Sequence, residues 1–123
     1  MERVIGVGGV FFKARDPKAL SEWYAKNLGV PLDAGQTYGT FTAAVGDQTV
    51  WSVFPEDTKY FAPSTAAYMF NLRVRNLSAM LQQLRAAGAQ VDDHVEEYDY
   101  GNFGWVMDPE GNRIELWEPK TPF

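Results

Sequence analysis

"DPEGNRIELWEP", residues 108–119, holds the feature on which the reading of this chain turns. Asp108-Pro109-Glu110-Gly111 has the chemistry of a tight turn, with Pro pre-setting φ at the second position and Gly tolerating an unusual one at the fourth. Residues 113–117 then read as a strand, with Glu115 set between Ile114 and Leu116. A carboxylate there is either a ligand or base in a site, or a polar residue on the wet face of a sheet.

Upstream of this hairpin the pattern extends in order. Residues 68–74 read as a strand, and Asn76 fits the N-cap of a helix carrying Leu77, Met80, Leu81 and Leu84. Gly88 stops that helix, and strands are expected at 90–95, 103–107 and 113–117. The first half has the same order. A strand is expected at 7–14, then a helix with Asp16 as N-cap and Pro17 at its first position, where the missing N–H is harmless. Leu20, Trp23, Tyr24 and Leu28 follow at helical spacing, and Gly29 ends the helix. Strand signals come at 30–33, 40–45 and 49–54, with Gly46-Asp47 as the turn between the last two.

The halves also match locally. KARDPKAL (13–20) aligns with RVRNLSAM (73–80), and YGTF (38–41) with YGNF (100–103). The Pro-, Ser- and Thr-containing stretch 56–67 separates them, giving module one at 5–55 and module two at 68–119 within a single domain, 1–123. A βαβββ unit of this length cannot bury its sheet face alone, so the two modules are expected to share one core.

Composition narrows the function classes. The chain has 123 residues and 46% hydrophobic content, enough to fold without staples. It has no cysteine, which excludes disulfides, thiolate metal sites and thiol nucleophiles. The net charge is −5 with no run of adjacent Lys or Arg, so nucleic-acid and membrane partners are not expected. No apolar run approaches ~20 residues and the start does not read as a signal peptide, so a cytoplasmic protein is expected. Aromatic residues make up 15%, several in loop-like stretches such as Tyr60-Phe61 and 98–103; they can close a core or wall a pocket for a flat or greasy ligand.

Two βαβββ modules, the helix motif D-P-x-x-L-x-x-W-Y-x-x-x-L-G (16–29) and the closing D-P-E-G-N-x-I-E-L-W (108–117) resemble the glyoxalase/bleomycin-resistance/extradiol-dioxygenase group, the vicinal oxygen chelate superfamily. The resemblance implies an α+β fold in which curved mixed sheets form a cup with the helices packed outside. In metal-using members one divalent ion sits in the cup on His, Glu or Gln side chains from four strands. Carried over one by one, those positions fall at Gly9, Ser52, Met69 and Glu115. Only Glu115 is a strong ligand, and a one-residue slip would turn each side chain to the other face of its strand. No catalytic metal and no cofactor are therefore expected, and His94 in the charged stretch DDHVEE is read as part of a solvated edge strand.

Alternation assigns the cup face. With Glu115 point Arg113 and Trp117, Phe11 and Lys13, Met69, Asn71 and Arg73, and Ser52 and Phe54. Tyr100 and Phe103 are placed at the opening. These twelve are the candidate ligand-binding residues, and Glu115 is also the candidate catalytic residue. Alternatively, Glu115 pairs with Arg113, Arg73 or Lys13 and only closes a polar network. The opposite face, Val10, Phe12, Phe70, Leu72, Val74, Ile114 and Leu116, is expected under the helices, and Trp51 in the core. Tyr60 and Phe61 suit a lid or a dimer contact.

The missing ligands favour a homodimeric binding protein that holds a small organic molecule in the cup, similar to the drug-sequestering resistance members. The alternative is a glyoxalase- or lyase-type enzyme, metal-free with Glu115 as base or metal-dependent through unexpected ligands. A ligand-responsive sensor is less favoured, because the chain carries no added DNA-binding segment.

Overall fold

The computed structural model describes residues 1–3 and 7–120. The expected start of module one at residue 5 lies outside the described residues. Two helices, α1 (Pro17–Leu28) and α2 (Leu77–Ala86), pack on one face of a curved, open, five-stranded sheet. Its strands are β1 (Phe70–Arg73), β2 (Gln90–Val91), β3 (Glu96–Tyr98), β4 (Gly101–Met107) and β5 (Arg113–Pro119). The order is β1-β5-β4-β2, with β3 also on β4; β1 runs parallel to β5 and all other pairs are antiparallel.

Both helices begin and end for local reasons that the sequence states. The Asp16 side chain accepts from the Ala19 N–H, Pro17 opens α1, and Gly29 closes it in the left-handed region at φ 71°. Asn76 accepts from the Ala79 N–H to open α2. The closing hairpin then locks both helices in place. Glu110, at the β4–β5 turn, accepts from the backbone N–H groups of Arg15 (2.7 Å) and Asp16 (3.0 Å), and Glu118 accepts from Leu77 N–H at 2.7 Å. Buried Asp108 accepts the Tyr24 hydroxyl at 2.8 Å while organising the turn through the N–H groups of Glu110 and Asn112.

The core lies between helices and sheet: Leu20 and Tyr24 from α1, Leu77, Leu81 and Leu84 from α2, and Val106, Ile114 and Leu116 from β4 and β5. Leu72 and Val74 pack against it, as the alternation predicts. Gly104 sets the approach of α2, because a Cβ there would stand 3.1 Å from Leu81 Cδ1.

Three expectations need correction. The strand expected at 90–95 is interrupted. Asp92 turns the chain by accepting the His94 N–H through its side chain at 2.9 Å, so β2 and β3 pair separately with opposite ends of β4. In module one, the stretches 7–14, 40–45 and 49–54 form no ladder among the described residues; the one bridge there joins Leu32 and Gly39. The turn at Gly46-Asp47 does form, with Asp47 accepting from Ala44 N–H at 2.9 Å. A strand is stable only when a neighbour takes its N–H and C=O groups, and these segments find none among the described residues. Consequently Trp51, expected in the core, is 80% exposed, and Val10 is exposed as well. Phe12 nevertheless reaches the helix side, packing edge-on to Phe70 and Tyr24.

Candidate functional site

The register of the sheet decides what surrounds Glu115. Asn71 of β1 and Trp105 of β4 are its direct cross-strand partners, and paired residues share a face. The same face carries Trp117 opposite Arg73 and Phe103, and Arg113 opposite Met107. Glu115 is only 8% exposed, so its two oxygens need internal partners. Asn71 Nδ2 donates to Oε1 at 2.7 Å, Trp105 Nε1 donates to Oε2 at 3.1 Å, and the Tyr60 hydroxyl makes a short hydrogen bond to Oε2. A carboxylate offers about four acceptor positions, so three donors leave one.

Tyr60 reaches this point from the segment between the modules. Its ring lies parallel to Phe54 at 5.5 Å and edge-on to Trp105 at 6.2 Å, with Phe61 completing the group. Burial, and then the hydrogen bond to Glu115, push the Tyr60 phenol above the ordinary tyrosine range. Farther along the sheet, Phe103 lies parallel to Trp117 and Tyr98 parallel to Tyr100, and both tyrosines meet Phe103 edge-on. The site is therefore a buried carboxylate within an aromatic wall.

At the other end, Trp105 is held between a histidine and an arginine. The His94 ring stacks on it at 5.8 Å, and the Arg113 guanidinium lies 5.0 Å from its ring centre. Arg113 Nη1 contacts Asp92 Oδ2 at 3.4 Å, and His94 Nε2 lies 2.9 Å from Glu96 Oε2. The Asp92 carboxyl is held below its ordinary range, first by the His94 backbone N–H and then by Arg113. The Glu96 carboxyl is lowered by the Tyr98 hydroxyl and then by His94.

The geometry brings together Phe54, Asn71, Tyr100, Phe103, Arg113, Glu115 and Trp117 of the twelve candidates. It separates others. Phe11 is fully exposed and Ser52 is exposed, both on unpaired stretches of module one. Lys13 lies in a different hollow with Arg15, Glu110 and Asn112. Arg73 turns to Asp47 and the Gln48 carbonyl. The expected pairing of Glu115 with Arg113, Arg73 or Lys13 is thus replaced by three neutral donors. Trp105 was missed although alternation from Phe103 puts it on this face. Tyr60, on an aperiodic segment, gave no positional signal, and His94, 63% exposed as expected of a solvated edge, also stacks on Trp105 at the site's margin.

The positions that hold a divalent ion in metal-using relatives do not fit one here. Gly9 has no side chain, Met69 offers a thioether, Ser52 is exposed, and the oxygens of Glu115 are held by N–H and O–H donors. No group of three His, Cys, Asp or Glu side chains converges among the described residues.

Solved structures share this fold at low identity. TnmS3, an antibiotic binding protein from Streptomyces sp. CB03234, is 23% identical with a TM-score of 0.62, covering 97% of this chain and 100% of that one. A member of the glyoxalase/bleomycin resistance protein/dioxygenase superfamily from Sphaerobacter thermophilus DSM 20745 is 18% identical with a TM-score of 0.59, covering 94% and 98%. TioX from Micromonospora sp. ML1 is 17% identical with a TM-score of 0.54, covering 87% and 93%. A search of curated proteins found no match. The sequence profile described as a glyoxalase-like domain matches residues 9–117, and the chain belongs to that family.

Proposed function

We propose that this glyoxalase-like protein binds a small organic ligand with a flat aromatic body on the concave face of its sheet, without a catalytic metal. The observation that carries this reading is Glu115, buried and held by Tyr60, Asn71 and Trp105, with one acceptor position remaining inside an aromatic wall. A mostly apolar pocket with a few fixed polar groups suits selective binding. A general base, in contrast, must have its oxygen within reach of a substrate proton, and three resident donors compete for that place. The likeness to an antibiotic binding protein agrees with this reading, although the shared fold alone does not carry function.

The protein acts as a homodimer in this proposal. The chain exposes 9363 Å², whereas a compact monomer of 13.8 kDa exposes roughly 6,600 Å². The excess, about 2,700 Å² on one chain or about 5,400 Å² over two copies, is on the scale of the larger obligate homodimer interfaces. It is rich in the unpaired apolar residues of module one, including Phe11, Val45, Trp51 and Val53. A second copy would supply the missing strand neighbours and a further wall for the ligand.

Titration with the planar dye acridine orange, followed by tryptophan fluorescence, tests the reading. Saturable quenching that weakens several-fold in Trp117→Leu and Tyr60→Phe is expected. Absence of quenching by the dye, or native mass spectra of untagged protein showing one metal ion per chain, would overturn it. Glu115→Gln separates binding from catalysis: unchanged ligand affinity with abolished turnover of any substrate would move the function to an enzyme.

A further inference from the structure

Glu115 keeps one acceptor position, yet it is only 8% exposed, so a ligand reaches it only if something above it moves. The cover is Tyr60, carried on residues 55–67. No residue of that stretch is buried, whereas Trp105 and Glu115, which Tyr60 contacts, both are. Its backbone is tied to itself. Thr58 N–H donates to the Pro55 carbonyl at 3.1 Å, Ala62 N–H to Lys59 at 3.1 Å and Ser64 N–H to Phe61 at 2.9 Å. The Thr58 and Ser64 hydroxyls accept from the N–H groups of Tyr60 and Ala66. Among the described residues no backbone hydrogen bond joins the stretch to the sheet, and its one polar link there is the Tyr60 hydroxyl on Glu115. Farther along, Pro63 borders a cavity of about 110 Å³ beside Trp105 and Arg113, so that end is not packed down onto the sheet.

We propose that residues 55–67 form a strap that opens to admit the ligand and closes over it, with the hydrogen bond from Tyr60 to Glu115 as the latch. The proposal deepens the reading of the concave face as a ligand site and rests on it. A unit with its own backbone bonds and few buried contacts opens at a lower free energy than the whole domain unfolds. Phe54, Tyr60 and Phe61 touch one another in all three pairings, so they lift as a group. Opening breaks the bond to Glu115 and the Tyr60–Trp105 ring contact, and leaves the strand ladders and the helix-side core intact. It uncovers the carboxylate and the face of the wall around Trp105. Closing over an aromatic body excludes water from Glu115, which strengthens the latch. The hydroxyl that bars the empty face therefore retains the ligand once it is inside.

Amide hydrogen exchange, followed by NMR on dye-free full-length protein, tests the strap. The amides of Thr58, Tyr60, Ala62 and Ser64 should exchange through one common opening, at least about a hundredfold faster than Val106 and Leu116 in the central strands. Tyr60→Phe should raise the four rates about tenfold, as for loss of one hydrogen bond to a charged group. Saturation with acridine orange should lower them about tenfold in the parent protein. Exchange of the four amides at the core rate would overturn the strap, because the segment would open only with the whole domain. Rates equal to those of unstructured chain would overturn it as well, since no closed state would exist to latch. Bound acridine orange that leaves the four rates unchanged would overturn the gate. Failure of the dye to bind, with the four amides opening together and responding to Tyr60→Phe, would overturn the concave-face reading while supporting the strap and its latch.

Discussion

Glu115 is a charge kept inside by its partners, and each partner should be measurable alone. In Tyr60→Phe the ring packing against Phe54 and Trp105 remains but one donor to the carboxylate is lost. The expected loss of stability is about 1–2 kcal/mol in urea denaturation, as for a hydrogen bond to a charged group at a half-buried position. A loss near zero would mean that Glu115 does not depend on Tyr60. The tyrosines give a second readout. Tyr24 is raised by burial and then by its hydrogen bond to Asp108, and Tyr60 by burial and then by Glu115. A folded-state value raised above the ordinary 10 contributes stability that is complete below 10 and is lost as pH rises through the raised value. Stability should therefore fall from about pH 10 upward. In an ultraviolet titration, Tyr24 and Tyr60 should resist ionisation until the protein unfolds. Six tyrosines ionising together near pH 10 in folded protein would contradict the burial of both.

At the scale of elements, the β4–β5 hairpin organises the molecule more than its length suggests. Asp108, Glu110 and Glu118 reach Tyr24, the start of α1 and the start of α2, while Glu115 faces the other way into the aromatic wall. One hairpin thus positions both helices and the candidate site. Helix α2 lies close enough to β4 that Gly104 has no room to spare beneath Leu81 and Leu77. Gly104→Val should destabilise by about 1–3 kcal/mol through overpacking, measured by thermal or urea unfolding. Stability equal to the parent would show that α2 can lift from the sheet at little cost. The interruption at Asp92 matters in the same way: it lets one expected strand become two, and it places His94 and Asp92 beside Trp105.

For the whole molecule, the imbalance between modules is the main physical fact. Module two has a paired sheet and a shared core with both helices, whereas the apolar stretches of module one stay exposed. An exposed apolar surface of this extent is unfavourable in water and favours association. Sedimentation or native mass spectrometry should find a dimer, and Phe11→Glu together with Trp51→Glu should convert it to monomer. A monomeric parent protein would remove the second copy from the proposal and leave the ligand site to a single chain. Among the described residues, no helix is long and apolar enough to cross a membrane.

The sequence by itself determined the features that depend on near neighbours. Asp16 and Asn76 as caps, Gly29 as a stop, the turns at Gly46 and Gly111, and the alternation that sends Ile114 and Leu116 to the core all follow from local geometry. So did the family, because the resemblance carried by the helix motif and the closing hairpin agrees with the profile match over residues 9–117. Only the tertiary structure decided which donors reach Glu115, because hydrogen bonding across a sheet depends on register and on a segment without periodicity that delivers Tyr60. It alone decided that the strand-like stretches of module one go unpaired among the described residues: a strand sequence specifies an extended segment, but the neighbour that completes it lies outside that segment.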